Sequence, residues 1–584
     1  MRKRLVGVVA SAAALILAAS ACQSTPTTPT PVTPEFNAAV GKVFNPSDHK
    51  GGTIKMAISE DWDSVDTGDT YYGLSWNLLR LYSRSLVMFK AEPGAAGNEL
   101  TPDLAEALGV PSDGGKTWTY KLRSGVKYED GTPVTSKDVK YAVMRAIDST
   151  GTLKQGVGYQ GGYLQAFLDL EGDTYGPYAA PGVDTKAITT PDDSTIVFHL
   201  KQPFGGFDYF AMLPLTAPVP QAKDTGVKYK EHVVSSGPYM FATYESGKGF
   251  TLKRNPNWDQ ATDPNRKALP DAYEIKLGVA ADDIDNQIET GDIDVDLAGT
   301  GVQSAMLAKL LDENDALHKR ADNPGSSRLW YTSINGNVAP LDNVHCRRAI
   351  EYAADRTGYQ LAYGGPVAGG DIQTQALVPP IPGYAKFDLY PAGADNKGDA
   401  TKAKDELTQC GQPTGFATTM AYRADRPKEK AVAESLQQSL KKVGIELTLQ
   451  GLPTSGYFTT LAPGYMVEHK IGLATNGWAS DWNDGYGMLG AIVDSRLISP
   501  KGGSSNLSVR DPEIDALLDK AFAEPDVSKR EPIWAQIDKK VMEGAFILPG
   551  LWAKSVTLRS KNAANVFVNE AFGQYDYLAM SVAG

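Results

Sequence analysis

Residues 477–484 read Gly-Trp-Ala-Ser-Asp-Trp-Asn-Asp. Two indoles, Trp478 and Trp482, stand beside two carboxylates, Asp481 and Asp484, with Gly477 and Gly485 bracketing them. Glycine lets a backbone turn sharply or lets a second backbone come close. An ammonium group suits such a place. A carboxylate gives it a charge-assisted hydrogen bond of about 1.5–3 kcal/mol, and an indole face attracts a cation by about 0.5–2 kcal/mol. The plainer reading is a polar loop carrying two half-buried indoles.

Other chemistries find less support. The six histidines, His49, His199, His232, His318, His345 and His469, fall in no His-Glu-x-x-His pattern, and there is no Gly-x-Ser-x-Gly elbow or phosphate loop. Sparse histidine speaks against direct metal capture. These absences speak against a secreted hydrolase and leave no cofactor or metal expected. The net charge of −12, with no Lys/Arg-rich run beyond the first four residues, argues against a nucleic-acid partner. A chain of 584 residues, 42% hydrophobic and 22% charged, has material for a sizeable core in more than one lobe.

Arg2-Lys3-Arg4, an apolar run over 5–21 and then Cys22 form the basic and apolar regions of a secretory signal peptide. Ala19-Ser20-Ala21 ahead of a cysteine resembles a lipoprotein signal, although Ala19 stands where leucine is commonest. In that pattern residues 1–21 are removed and the Cys22 thiol carries diacylglycerol. An uncleaved anchor is the alternative, and no second apolar run approaches the spanning length of about 20 residues. Residues 22–42 then form the acylated cysteine and a tether; four prolines and five threonines within 23–35 favour an extended, solvated chain. With Cys22 acylated, Cys346 and Cys410 remain as an even pair, which an oxidising compartment favours joining. Two buried free thiols are the other possibility.

The elements that must position these residues alternate between strands and amphipathic helices. A strand over 53–58 leads through a polar, aromatic loop at 59–72, containing Trp62, to a helix over 73–87. Strands are expected at 118–122 and 195–200, separated by a helix that Thr135 and Asp138 would cap, and by a Gly- and Tyr-rich stretch at 150–182 with a short helix. Residues 274–295 read as strand, helix, Gly291 stop and strand, an α/β unit. Further on come a strand at 329–334, a helix from Asn343 with Arg347 and Arg348 outward, and a helix over 428–443 followed by a strand at 445–449. A helix starting at Pro512 and strands at 546–551 and 555–558 close the chain, which has no fixed-period repeat.

Five segments in order carry a family resemblance: Trp118 through Gly131-Thr132-Pro133-Val134-Thr135 to Asp138-Val139; Ser236-Gly237-Pro238-Tyr239; Gly291-Asp292-Ile293-Asp294-Val295; Pro340-Leu341-Asp342-Asn343-Val344; and Arg347-Arg348-Ala349-Ile350. Together they resemble the family 5 extracellular solute-binding proteins of ABC importers, of oligopeptide- and dipeptide-binding type. The resemblance implies an α/β, two-lobed periplasmic-binding-protein fold (type II, cluster C) with a subdomain inserted in lobe I. Carried onto this numbering, lobe I would comprise 43–90, 191–328 and 545–584, the insertion 91–190 and lobe II 329–544, with chain crossings near Arg328 and Gly544 as a hinge.

The resemblance also assigns roles. Asp481, following Trp478, would bind the α-ammonium of a peptide, and Gly477 would contact an extended ligand through its backbone. The loop after the first strand would line the opposite wall with Asp69, Tyr71 and Tyr72. Asn483 and Gly485 stand where many members have proline, which bears on the ligand type. Arg423, Arg426 and Lys428 read first as a solvated helix start and second as cations for a ligand carboxylate. The implied partners are a peptide ligand, the transmembrane subunits of an ABC permease, and the outer face of the cytoplasmic membrane through Cys22, with the protein itself a monomer. A nickel chelate, a sugar or another small solute is the alternative cargo for this fold.

Overall fold

The structure, a computed structural model, describes residues 35–59, 64–70, 72–154, 160–179 and 185–584. The expected signal peptide, Cys22, the first part of the tether, Trp62 and Tyr71 lie outside the described residues.

In the strand Thr53–Ala57, Ile54 and Met56 are buried while Lys55 is exposed, the alternation that lets one face pack on a core. This strand pairs in parallel with Ala272–Lys276 and with Val295–Asp296. The helix Ala281–Thr290 makes the crossover and ends at Gly291, whose φ of 91° ordinary residues avoid. The hairpin Tyr239–Glu245 and Gly249–Arg254 completes a five-stranded sheet. A separate four-stranded antiparallel sheet has the order Val110–Ser112, Thr117–Lys121, Thr195–His199, Ile188–Asp192. Against it packs the helix Ser136–Ala146, at whose start the Asp138 carboxylate accepts from both Thr135 N and Thr135 Oγ1, each at 2.8 Å. The short helix Gln160–Phe167 follows.

The second lobe is built on a six-stranded sheet in the order Gly370–Ile372, Ile547–Lys554, Gly325–Ile334, Ile471–Ala479, Ala417–Arg423, Glu446–Leu452. Its last two strands are parallel, joined by the helix Pro427–Lys441. Val432, Leu436 and Leu440 of that helix are buried with Ile350, Leu407, Leu473 and Leu548 in one apolar core. The helix Val344–Ala353 is capped by Asn343, whose side chain accepts from His345 N at 2.9 Å.

Two antiparallel pairings follow one another along the chain. Ala321–Asp322 pairs with Thr557–Leu558, and Gly325–Ile334 pairs with Ile547–Lys554. Asp322 is fully buried here: both its oxygens receive Arg559 Nη1 at 2.6 Å, Oδ2 also accepts from the Tyr575 hydroxyl (2.6 Å) and Oδ1 from Ala39 N (2.9 Å). Burying this charge is tolerable because every approach to it is a donor.

Three expectations need correction. A boundary at 190/191 would cut the strand Ile188–Asp192, whose partner Thr195–His199 bonds to Thr117–Lys121, so the inserted sheet extends through His199. The expected boundary at Gly544 falls ahead of Ile547–Lys554, which pairs with Gly325–Ile334 within the six-stranded sheet. Arg347 does not face outward: it is buried, donating to Leu341 O (2.6 Å) and Gly544 O (2.7 Å), with its guanidinium over Phe546. Gly544 caps the helix Val527–Glu543, whose last carbonyls have no partner within the helix, and the guanidinium supplies one.

Among the described residues no helix is long and apolar enough to cross a membrane. Cys346, on Val344–Ala353, and Cys410, at the end of Ala400–Gln409, are bonded to each other with Cα atoms 5.3 Å apart and a sequence separation of 64. The denatured, unreduced body should therefore show no free thiol from this pair, and the double Cys→Ser variant should lose about 4 kcal/mol of stability in the chain-entropy account. Thiol titration and a denaturant melt check both.

Candidate functional site

A cavity of about 860 Å³ is lined on one side by residues of the six-stranded sheet and on the other by residues 72–74, Trp76, 298–300 and 571–574. Its floor is the end of the strand Ile471–Ala479, and Ser480 and Asp481 continue that wall. Ser480 N donates to Ser327 O at 3.2 Å, and the register sets Ala479 opposite Arg328 and Gly477 opposite Trp330. By antiparallel alternation the peptide groups of Gly477 and Ala479 then point away from Gly325–Ile334. On that other side the registered pairing with Ala417–Arg423 stops at Ala421↔Ala474. The strand's last residues present an open edge to the cavity, with Gly477 N taken by Asn476 Oδ1 at 2.8 Å.

Two side chains hold this edge open. The Tyr457 hydroxyl lies 3.2 Å from Ala421 O and 3.1 Å from Thr475 O, wedged where the strands diverge. Beside it Glu429 Oε2 accepts from Arg423 N (3.1 Å), Arg423 Nε (2.9 Å) and Thr475 Oγ1 (2.8 Å). Arg423 Nη2 also closes on Glu429 Oε1. Arg423 is thus a buried partner of Glu429 and does not line the cavity, a correction to its assignment as a ligand cation. An arginine at the end of a buried strand must find its counter-ion locally.

The structure brings Gly477, Trp478, Asp481 and Tyr72 to the cavity. A Cβ on Gly477 would meet Trp330 Cε3 at 2.3 Å, so this glycine is required by the ring lying across it. Trp478 is fixed by Nε1 donating to Gly487 O at 3.1 Å. Asp481 N donates to Gly487 O (3.2 Å), and its Oδ2 accepts from the Tyr163 hydroxyl. Tyr72 is half exposed, at the start of the helix Gly73–Leu79.

Two further residues go elsewhere. Trp482 is 1% exposed and buried among Tyr163, Tyr209 and Phe210, so it is a packing residue and does not line the cavity. Asp69 does not line the cavity either; its N–H turns back to Asp66 O at 3.1 Å. The carboxylate that anchors that loop is Asp66, which takes Arg145 in a bidentate pair at 2.8 Å. Asn483 and Gly485 also point away from the cavity. Asn483 is fully buried against Asn98 and Glu570, and a Cβ on Gly485 would meet Trp534 at 2.1 Å.

Sequence reasoning missed the stacked wall on the central strand. Arg328 lies over the Trp330 ring at 4.9 Å, and Tyr363 stacks on Trp330 at 5.0 Å and 27°. The two-residue spacing of Arg328 and Trp330 on one strand is the signal for the first pair, while Tyr363 comes from the end of the helix Arg356–Ala362. Arg328, Arg426, Lys428 and Lys554 meet Asp425, Glu429 and Asp481 around the cavity, so both signs of charge are present. Lys554 is paired with Asp371 at 2.7 Å, and the Thr454 hydroxyl holds the Asp425 carboxyl below its usual range. Such a cavity can bind an elongated, zwitterionic, partly apolar molecule through backbone groups and a terminal charge.

Gly477→Ala should force Trp330 from its place, destabilising the protein by about 1–3 kcal/mol through overpacking. Denaturant unfolding measures this, and Ala479→Gly serves as the edge control.

Comparison with known proteins places this geometry. The profile described as Bacterial extracellular solute-binding proteins, family 5 Middle matches residues 99–498. The chain is 26% identical over 501 residues to an Escherichia coli K12 protein described as a probable D,D-dipeptide-binding periplasmic protein, covering 84% of this chain and 87% of that one. It is 25% identical over 514 residues to an oligopeptide-binding protein of Bacillus subtilis, covering 86% of each. Among solved structures, a clavulanic acid biosynthesis oligopeptide binding protein 2 superposes with a TM-score of 0.89 at 41% identity, over 94% of this chain and 99% of that one. With the two-lobed α/β fold, this establishes that the chain belongs to the bacterial extracellular solute-binding proteins, family 5.

Proposed function

We propose that this protein is the lipid-anchored, peptide-capturing component of an ABC importer, holding an extended peptide in the interlobe cavity and delivering it to a membrane permease. The observation that carries the reading is the edge that the registered pairing leaves open beyond Ala474, ending beside Asp481, with the Gly477 N–H turned onto Asn476 Oδ1. An extended peptide presents the same amides whatever its sequence, so pairing along such an edge gives affinity without reading side chains. Asp481 sits where the free ammonium of that peptide would arrive, with Gly477 and Trp478 beside it and Tyr72 on the facing wall. Closure around the ligand excludes water and strengthens the ammonium–carboxylate contact. Varied side chains are accommodated by water in the remaining volume.

The relatives support the cargo class, since two of them are described as dipeptide- and oligopeptide-binding. The role is binding without turnover, by a monomer. The hinge in this reading is the paired passage at Asp322 and Thr557, and Cys22 with the tether holds the body at the outer face of the cytoplasmic membrane. Cys22→Ser should move the protein from the membrane fraction to the medium, read by fractionation and immunoblotting.

Native mass spectrometry of the gently purified body, followed by calorimetry with a mixed di- to pentapeptide pool, tests the cargo. Retained heterogeneous peptide or tight binding from the pool is expected; a clean mass with no peptide heat would move the assignment to another solute. Asp481→Ala should weaken a free-amine peptide by about 2–4 kcal/mol, the cost of losing a desolvated charge partner. N-acetylated peptide should bind the unaltered protein comparably poorly.

A further inference from the structure

The loop that carries Asp481 leaves the six-stranded sheet at Ala479 and is gripped from outside the cavity. Tyr163, on the helix Gln160–Phe167, donates its hydroxyl to Asp481 Oδ2 although Tyr163 does not line the cavity. Its ring meets Trp482 edge-on at 4.9 Å and 76°, and stacks on Phe210 at 6.0 Å and 26°. Phe210 in turn meets Trp482 edge-on at 5.4 Å. One residue further along, Asn483 is fully buried, its Nδ2 donating to Asn98 Oδ1 at 2.6 Å and to Glu570 O at 3.3 Å. The Tyr209 hydroxyl donates to Asn483 O at 3.3 Å, and Asn98 Nδ2 donates to Glu570 Oε2 at 2.9 Å. None of Asn98, Tyr163, Tyr209, Phe210 or Glu570 belongs to the six-stranded sheet or its helices.

We infer that Tyr163 is a positioning residue for ligand recognition: with the Trp482 plug and the Asn483 clasp, it fixes the Asp481 carboxylate from the opposite lobe, so free-amine selectivity exists only while the lobes are docked. The inference deepens the peptide reading and rests on it for the nature of the ligand. The physical content is preorganisation. A carboxylate on an unrestrained loop loses entropy each time it meets a cation, whereas one already held by a hydroxyl presents a fixed plane. Trp482 supplies the apolar anchorage that a loop of small and polar residues lacks, because its indole is enclosed by aromatic rings on the other side. Asn483 adds directional bonds at the same place. Recognition of the ammonium and docking of the lobes therefore act on one loop.

Tyr163→Phe tests this, since it keeps the ring against Trp482 and Phe210 and removes only the hydroxyl. Two readouts are taken on the full mature chain. The first is hydrogen exchange of residues 480–487 without added ligand. The second is the ratio of affinities for a free-amine peptide and its N-acetylated form. Faster exchange confined to that loop, together with about a tenfold fall in the ratio, is expected from losing one hydrogen bond to a charged group. Asn483→Ala should speed exchange in the same loop while changing the ratio less. Unchanged exchange in Tyr163→Phe overturns the inference, as does an equal weakening for both peptides, which would make Tyr163 a structural residue only. A wild-type protein with no free-amine preference would overturn the role of Asp481 instead; the exchange measurement needs no ligand and still decides whether Tyr163 holds the loop.

Discussion

A β-strand that outruns its neighbour must leave peptide groups for something else to satisfy. The strand Ile471–Ala479 does so: its parallel pairing ends at Ala474, while its antiparallel pairing continues to Ala479. Left alone, such an edge would recruit any passing strand. Here it is sheltered inside a cavity and kept apart from its parallel neighbour by Tyr457 and Glu429. Glu429 is a buried carboxylate in the first turn of the helix Pro427–Lys441, and Arg423 and Thr475 are committed to it. Those commitments explain why a cationic residue close to the cavity is not available to a ligand.

The rest of the architecture encloses that edge. The central strand Gly325–Ile334 pairs with it on one side and carries the Arg328–Trp330–Tyr363 stack, whose middle ring lies across Gly477. Just ahead of that strand, Ala321–Asp322 pairs with Thr557–Leu558. Asp322 binds Arg559, Tyr575 and Ala39, so three remote chain segments converge on one buried carboxylate. Removing one partner of such a buried pair is far more costly than the pair is stabilising, since a lone charge would remain. Across the cavity, Arg145 holds the loop that leads to Tyr72 through Asp66, and Asp224 with Tyr178 and Tyr141 completes that network. Both walls are thus braced by buried charge pairs lying behind them, which leaves the cavity surface to aromatic rings, small residues and a few charges.

Much of the fold was legible in the chain. The alternation of Thr53–Ala57, the Thr135–Asp138 pair, the Gly291 stop, and the helices Pro427–Lys441 and Pro512–Ala523 are local features, set by side-chain periodicity and by backbone preferences within a few residues. The ordered motifs carried the family, and the Gly-Trp-x-x-Asp pattern brought Gly477, Trp478 and Asp481 to notice before any coordinates. All three line the cavity.

What the chain alone could not assign were residues whose role depends on distant partners. Trp478 and Trp482 are four apart and chemically identical, yet one faces the cavity and the other fills an aromatic pocket built from residues 163–210. Asp66 and Asp69 share a loop, but only Asp66 meets Arg145. Arg423 reads as a free cation until Glu429 is seen folded back onto it. Sequence thus determined the elements, the family and the stretch that lines the cavity at 477–481, because these rest on local geometry and on ordered motifs. Tertiary structure decided which side chains reach the cavity, because burial forces each polar group to find a partner, and in this chain those partners lie up to several hundred residues away.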